Sequence, residues 1–248
     1  MRSFRALMVA AALAACSKAP PQAPAVPPSP YPSPTDVTAS LTGIVVVGDG
    51  WRLDANPFYG MGMVEHGVST FSSSERLITG GTGAAFRYLA SDVSVGVTRM
   101  DCVDGGVRYP LSATIDRPGK PQLSGCGFEQ WDGRARAAVR IADACAPVGP
   151  DAQRITLFQV SGDGTMLVRL RGANGGVDCR VINGQLIKSP RDTTLRLGGE
   201  GELDLIRAPA PTPADPCIAS NISTDDDGNL VGWLVPKDHK CRTQPMQP

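Results

Sequence analysis

Val93-Ser94-Val95-Gly96-Val97-Thr98 is the stretch that decides the fold. Its valines alternate with small or polar residues. A period of two puts successive side chains on opposite faces of a β-strand, so the pattern predicts a strand with one face buried and the other wet. Before it, the chain is strand-like from Leu41 onward, with Ile44-Val45-Val46-Val47 ending at Gly48-Asp49-Gly50 ahead of Trp51-Arg52-Leu53. After it, similar strands are expected over residues 109–115, 155–160, 166–171, 177–182 and 185–188. Ser161-Gly162-Asp163-Gly164 and Asn183-Gly184 sit between consecutive strands and carry the residues that hairpin turns require. The prediction is an all-β protein, an antiparallel meander forming a small barrel or sandwich, with at most one short helix and either one core or two β subdomains.

Composition agrees with that expectation. Glycine (28) and proline (22) are frequent, as short strands and many turns need. The one stretch of helical character is 134–144, rich in good helix formers. Ala138, Ile141 and Ala142 form its thin apolar stripe, with Arg134, Arg136 and Arg140 expected to face water; a short surface helix and an arginine-bearing strand fit it equally. The formal net charge is zero, from 24 basic and 24 acidic residues, which gives no electrostatic attraction toward nucleic acid.

The N-terminus reads as an export signal. Met1-Arg2-Ser3-Phe4-Arg5 is a charged opening, and the apolar run from Ala6 to Leu13 is too short to span a bilayer, which takes roughly 20 apolar residues. Leu13-Ala14-Ala15-Cys16 resembles the lipobox of bacterial lipoproteins. That resemblance implies a signal peptide over residues 1–15 and acylation of Cys16, palmitate included, in a protein lipid-anchored in the cell envelope. Ser17 after the cysteine points to the outer membrane, facing the periplasm. Several acyl chains hold firmly, since each buried CH₂ contributes about 0.8 kcal/mol. Residues 16–40 then form a lipidated, proline-rich linker. Proline lacks the amide donor and fixes φ, so this run is an extended spacer, its 20–34 stretch roughly 45 Å long.

Seven cysteines are present. Acylation of Cys16 leaves Cys102, Cys126, Cys145, Cys179, Cys217 and Cys241, an even set suited to disulfides in an oxidising compartment. Six cysteines allow fifteen connectivities. Sequential pairing suits consecutive hairpins, so the expectation is Cys102 with Cys126, Cys145 with Cys179, and Cys217 with Cys241. No Cys-x-x-Cys pair occurs, and His66 and His239 have no ligand-like spacing, so no metal site and no cofactor are expected. Asp225-Asp226-Asp227-Gly228-Asn229 resembles the start of a calcium loop, but Pro236 stands where the closing glutamate belongs, and the segment reads as an acidic turn.

Two segments resemble a family of uncharacterised Gram-negative envelope lipoproteins. The stronger runs from Asp101-Cys102-Val103-Asp104-Gly105-Gly106-Val107-Arg108-Tyr109-Pro110 through an alternating strand to Gly125-Cys126. The family pattern is a cysteine, Asp-Gly, Arg-Tyr-Pro, a strand and Gly-Cys, and it supports Cys102 to Cys126 as a bridge between hairpin strands. The weaker is Asn56-Pro57-Phe58-Tyr59, where the family has Glu-Pro-Phe-Trp; the acidic group is missing here. The resemblance covers 51–126 and carries over no catalytic residue. By this reading 41–145 is one β domain, and 146–248 is a second β region with a proline-rich break near 208–216.

Nucleophilic hydrolysis needs a poised serine or cysteine with a base and an orienting group. The sequence holds no Gly-x-Ser-x-Gly, Ser-x-x-Lys or His-Glu-x-x-His. His66 and His239 read as exposed loop histidines. The leading expectation is a non-catalytic binding or interaction module of the envelope, with Phe58, Tyr59 and Trp131 as its candidate surface and an envelope protein or cell-wall glycan as partner. The alternatives are an envelope hydrolase, which predicts a cleft with two or more acidic groups and His66 or an arginine nearby, and a purely structural outer-membrane lipoprotein.

Overall fold

A computed structural model of the protein describes residues 42–82, 84–131, 134–146, 154–172, 175–210, 213–214, 222–224 and 227–236. Cys16, Cys217, Cys241, His239 and Asp225-Asp226, each singled out from the sequence, lie outside them. The described residues build two antiparallel sheets and one α-helix. None of the helices among them is long and apolar enough to cross a membrane.

The first sheet has nine strands: β1 (Ile44–Gly48), β2 (Trp51–Asn56), β3 (Gly60–Glu65), β4 (Val68–Ser73), β5 (Ile78–Thr82), β6 (Ala85–Ala90), β7 (Val93–Asp104), β8 (Val107–Asp116) and β9 (Leu123–Glu129). Their order is β4-β3-β2-β1-β9-β8-β7-β6-β5, so the meander is interrupted only where β9 returns beside β1. The two edges, β4 and β5, do not pair, so of the two expected architectures the closed barrel is not formed. Val93, Val95 and Val97 are buried, and the β7–β8 register sets Val95 opposite Ile115 and Val97 opposite Ala113. Residues from β1 to β3 and from β6 to β8 join in one apolar cluster, so the sheet bends over its own inner face. Each fully buried valine or isoleucine there contributes about 1.5–3 kcal/mol.

The second sheet holds β10 (Arg154–Val160), β11 (Met166–Gly172), β12 (Gly175–Ile182), β13 (Gln185–Pro190), β14 (Leu203–Arg207), β15 (Ile222–Thr224) and β16 (Leu230–Pro236), in the order β13-β12-β11-β10-β14-β16-β15. The Asn183-Gly184 turn takes its expected form, with both residues at positive φ (50° and 75°) between Ile182 and Gln185. One face of this sheet carries helix α1 (Ala135–Cys145), whose Ala138, Ile141 and Ala142 pack on Phe158, Val168, Leu170 and Val181. The helix, not the arginine-bearing strand, is therefore realised. It shares the second sheet's core, although the sequence reading placed it at the end of the first region.

Two expectations are corrected here. Trp131 is 3% exposed and packs in the second core, so it belongs to no surface. Arg134 is buried as well: it is the residue before the helix, outside the helical turn, and its guanidinium reaches back to Glu129 with Nη1–Oε2 2.9 Å and Nη2–Oε1 2.7 Å. Arg140 is exposed and Arg136 half-buried.

Both described disulfides pair as expected, Cys102 with Cys126 and Cys145 with Cys179. Their placement departs from the hairpin argument. The first ties β7 to β9, which have β8 between them, and the second pins the last residue of α1 to β12. A cross-link of this kind raises stability mainly by restricting the unfolded chain.

Candidate functional site

The face of the second sheet opposite α1 is where the two lobes meet. Along β11, Met166, Val168 and Leu170 point to the helix, so Leu167 and Arg169 point the other way; along β12 the same alternation leaves Asp178 and Arg180 on that side. The β11–β12 register sets Arg169 directly opposite Asp178. Arg169 is 0% exposed, and five hydrogen bonds use its guanidinium. Nε and Nη2 donate to the two oxygens of Asp178 (2.8 and 3.0 Å), Nη1 to Glu200 (2.7 Å) and to the carbonyl of Leu195 (3.4 Å), and Nη2 to the carbonyl of Asp192 (3.4 Å). Burial acts against its charge, but the bonds to Asp178 and the charges of Asp178 and Glu200 outweigh it and hold its pKa above the ordinary arginine value.

This arginine clamps the segment between β13 and β14 onto the sheet, and that segment docks the first lobe. The amide of Arg108 donates to the carbonyl of Arg196 (3.0 Å), and the amide of Gly198 to the carbonyl of Arg108 (2.8 Å). Gln159 Nε2 donates to the carbonyl of Gly198 (2.6 Å), and Arg52 Nη1 to Glu202 (3.3 Å). Gly198 lies flat against the Tyr109 ring, where any Cβ would collide with the ring carbons. The ring stacks with Phe128 of the same sheet at 6.4 Å, and a Cβ on Gly199 would strike that second ring, so the docked turn is packed against both aromatics.

Beside the docked segment a cleft of about 440 Å³ opens between the lobes. Its walls carry Arg108 and Asp101 from the first lobe and Arg180, Ser161 and Asp163 from the second, over a floor that includes Leu167 and Leu197. Volume and position suit a small-ligand site, which domain interfaces favour. The cleft is formally balanced, two arginines against two aspartates. Asp163 is committed to its own turn, accepting from the Thr165 amide (2.9 Å) and hydroxyl (3.1 Å) through separate oxygens. Asp178 lies 3.6 Å from Arg180 Nη2 but is held from both oxygens by Arg169, so Arg180 keeps donors for the cleft.

The residues expected to mark a site from the sequence are scattered. Phe58 (59% exposed) and Tyr59 (79% exposed) share the turn between β2 and β3, with Arg76 over the Phe58 ring at 5.7 Å. Trp131 is in the second core and not beside them. His66 is exposed in the β3–β4 turn and is not among the cleft residues. No group of three or more metal-ligating side chains occurs among the described residues.

Reading from sequence singled out Arg108 and Tyr109 only as part of a motif and missed Arg169 and Arg180. A signal was available: counting outward from the β11–β12 turn aligns Arg169 with Asp178, opposite charges directly across from one another in the middle of the two strands. Compared with known protein families and with curated proteins, the chain has no match in either.

Proposed function

We propose that this chain is a lipid-anchored lipoprotein of the cell envelope, held at Cys16 on the periplasmic face of the outer membrane, whose two-lobed β module binds a partner and catalyses nothing. The observation that carries the binding reading is the interlobe cleft, walled by hydrogen-bonding side chains on strands that the Arg169 clamp and the Cys102–Cys126 bridge hold in place. Rigid presentation of polar groups lowers the ordering cost of binding. The hydrolase alternative is weaker, although the cleft does hold the two acidic groups and the arginines it calls for. Asp163 is spent on a turn, and neither a histidine nor a thiol is among the cleft residues to act as base or nucleophile. The lipobox match carries the anchoring, and the proline-rich linker would stand the module away from the headgroups.

Metabolic labelling with a palmitate analogue, followed by membrane fractionation, tests the anchor. The wild-type chain is expected to take the label and sediment with the outer membrane, and Cys16→Ala to do neither. An unlabelled wild-type chain, or a Cys16→Ala variant that still fractionates as wild type, would remove the lipoprotein reading.

A further inference from the structure

We infer that the interlobe cleft takes a short neutral saccharide, a stretch of glycan of about two rings; this rests on the binding-module reading and supplies its ligand class. Four features of the cleft converge on that chemistry. Its volume of about 440 Å³ admits a small ligand and no folded protein surface. Its charge is balanced between Arg108 and Arg180 on one side and Asp101 and Asp163 on the other, so neither a polyanion nor a polycation gains by entering. Its polar groups are mixed in kind: guanidinium donors at Arg108 and Arg180, and an acceptor carboxylate at Asp101. A sugar hydroxyl donates and accepts at once and can pair with both.

The fourth feature concerns the backbone. On the cleft side of β8 the amide and carbonyl of Arg108 are taken by the docked segment, and Pro110 beside it has no amide hydrogen to offer. An extended peptide would find no free edge on β8, and recognition beside Arg108 falls to side chains. Met100, half-exposed at 51%, and Leu197 supply apolar surface for the C–H face of a pyranose ring.

The test uses the chain from Ser17 to its end, oxidised, titrated with N,N′-diacetylchitobiose, with maltose and with muramidase-cut cell-wall glycan strands, and read by amide chemical shifts. Tetraglutamate serves as the acidic-peptide probe. The expected result is saturable shifts at Asp101, Arg108, Gly162 and Arg180 with at least one saccharide and none with tetraglutamate. Arg108→Ala and Arg180→Ala should each weaken that binding about 10-fold, as loss of a hydrogen bond from a charged donor does, with the urea midpoint unchanged. Absence of saturable shifts with all three saccharides overturns the inference, as do shifts confined to residues outside the cleft, or a response to tetraglutamate alone. If saccharides fail while solubilised envelope material still binds, and Phe58→Ser with Tyr59→Ser abolishes that binding, the saccharide assignment falls and the binding module stands. If nothing binds by either route, both fall.

Discussion

Each lobe buries arginine, and the two do it in opposite ways. In the second lobe Arg169 meets two carboxylates and two carbonyls, and Glu200 is shared with Arg191 at 2.6 Å, so the charges are balanced and every guanidinium nitrogen of Arg169 is engaged. In the first, Arg99 and Arg134 converge on a single carboxylate, Glu129, each at 2.7 Å. There Arg99 Nε and Nη1 have no hydrogen-bond partner among the described residues, and the guanidinium sits 4.9 Å from the Phe86 ring centre. Burial and the neighbouring Arg134 charge push the Arg99 pKa down; Glu129 opposes them. Burial also pushes the hydroxyl of Tyr88 well up, and that hydroxyl donates to the Thr42 carbonyl (2.6 Å). The contrast teaches that a buried arginine specifies structure only as far as its partners are themselves fixed. Arg169 positions the docked segment and the cleft, whereas Arg99 is an extra cation beside a pair that is complete without it.

The largest expected effect breaks the balanced network. Arg169→Met leaves Asp178, itself 0% exposed, without its bidentate cation and Glu200 with Arg191 alone, and should cost roughly 3–5 kcal/mol of unfolding free energy in urea. The amides of Arg108 and Gly198 should lose their protection from hydrogen exchange along with it. A loss below about 1 kcal/mol would mean that the segment docks without the clamp.

A smaller effect is expected in the first lobe. Arg99→Met leaves the Glu129–Arg134 pair intact with both of its bonds, so stability should change by no more than about 1 kcal/mol in either direction. A loss as large as that of Arg169→Met would erase the distinction between the two networks.

The smallest effect sharpens the comparison through acid. Bonds from the Thr194 hydroxyl and amide hold the Asp192 carboxyl below its ordinary value of 3.8. A depressed acid contributes stability that is complete above the unfolded value and is lost as pH falls through the folded one. Protection of the Thr194 and Leu195 amides should therefore decline as pH drops below about 3.8, and Asp192→Asn should remove that dependence. Asp204 runs the other way. Its burial raises the carboxyl, so its contribution is present at low pH and fades as pH rises. Acid sensitivity at the docked segment that survives Asp192→Asn would place its origin elsewhere.

Much of the architecture was legible from residues alone because it is local. Alternation at Val93, Val95 and Val97 named a buried strand face, Asn183-Gly184 named a hairpin, and Ala138, Ile141 and Ala142 named the face the helix buries. Two of the three disulfide pairs, Cys102 with Cys126 and Cys145 with Cys179, were also readable, although the hairpin reasoning behind them was not what the fold uses: Cys145 ends a helix. The failures share a cause. Trp131 looked like a surface aromatic and Arg134 like a solvated charge, because their burial depends on partners that only folding brings near.

The sequence by itself thus determined several of the strands, two of the hairpin turns and two of the cross-links, and narrowed 134–144 to a helix or an arginine-bearing strand, since each follows from side-chain period, turn chemistry or cysteine order within a short span. Tertiary structure alone decided which charges are buried and where a ligand could enter. Arg169 finds Glu200 31 residues away, Arg99 finds Glu129 30 residues away, and the cleft joins Arg108 to Arg180 across two sheets. Burying a charge is favourable only when its counter-charge arrives in the right geometry, and that is a property of the folded whole.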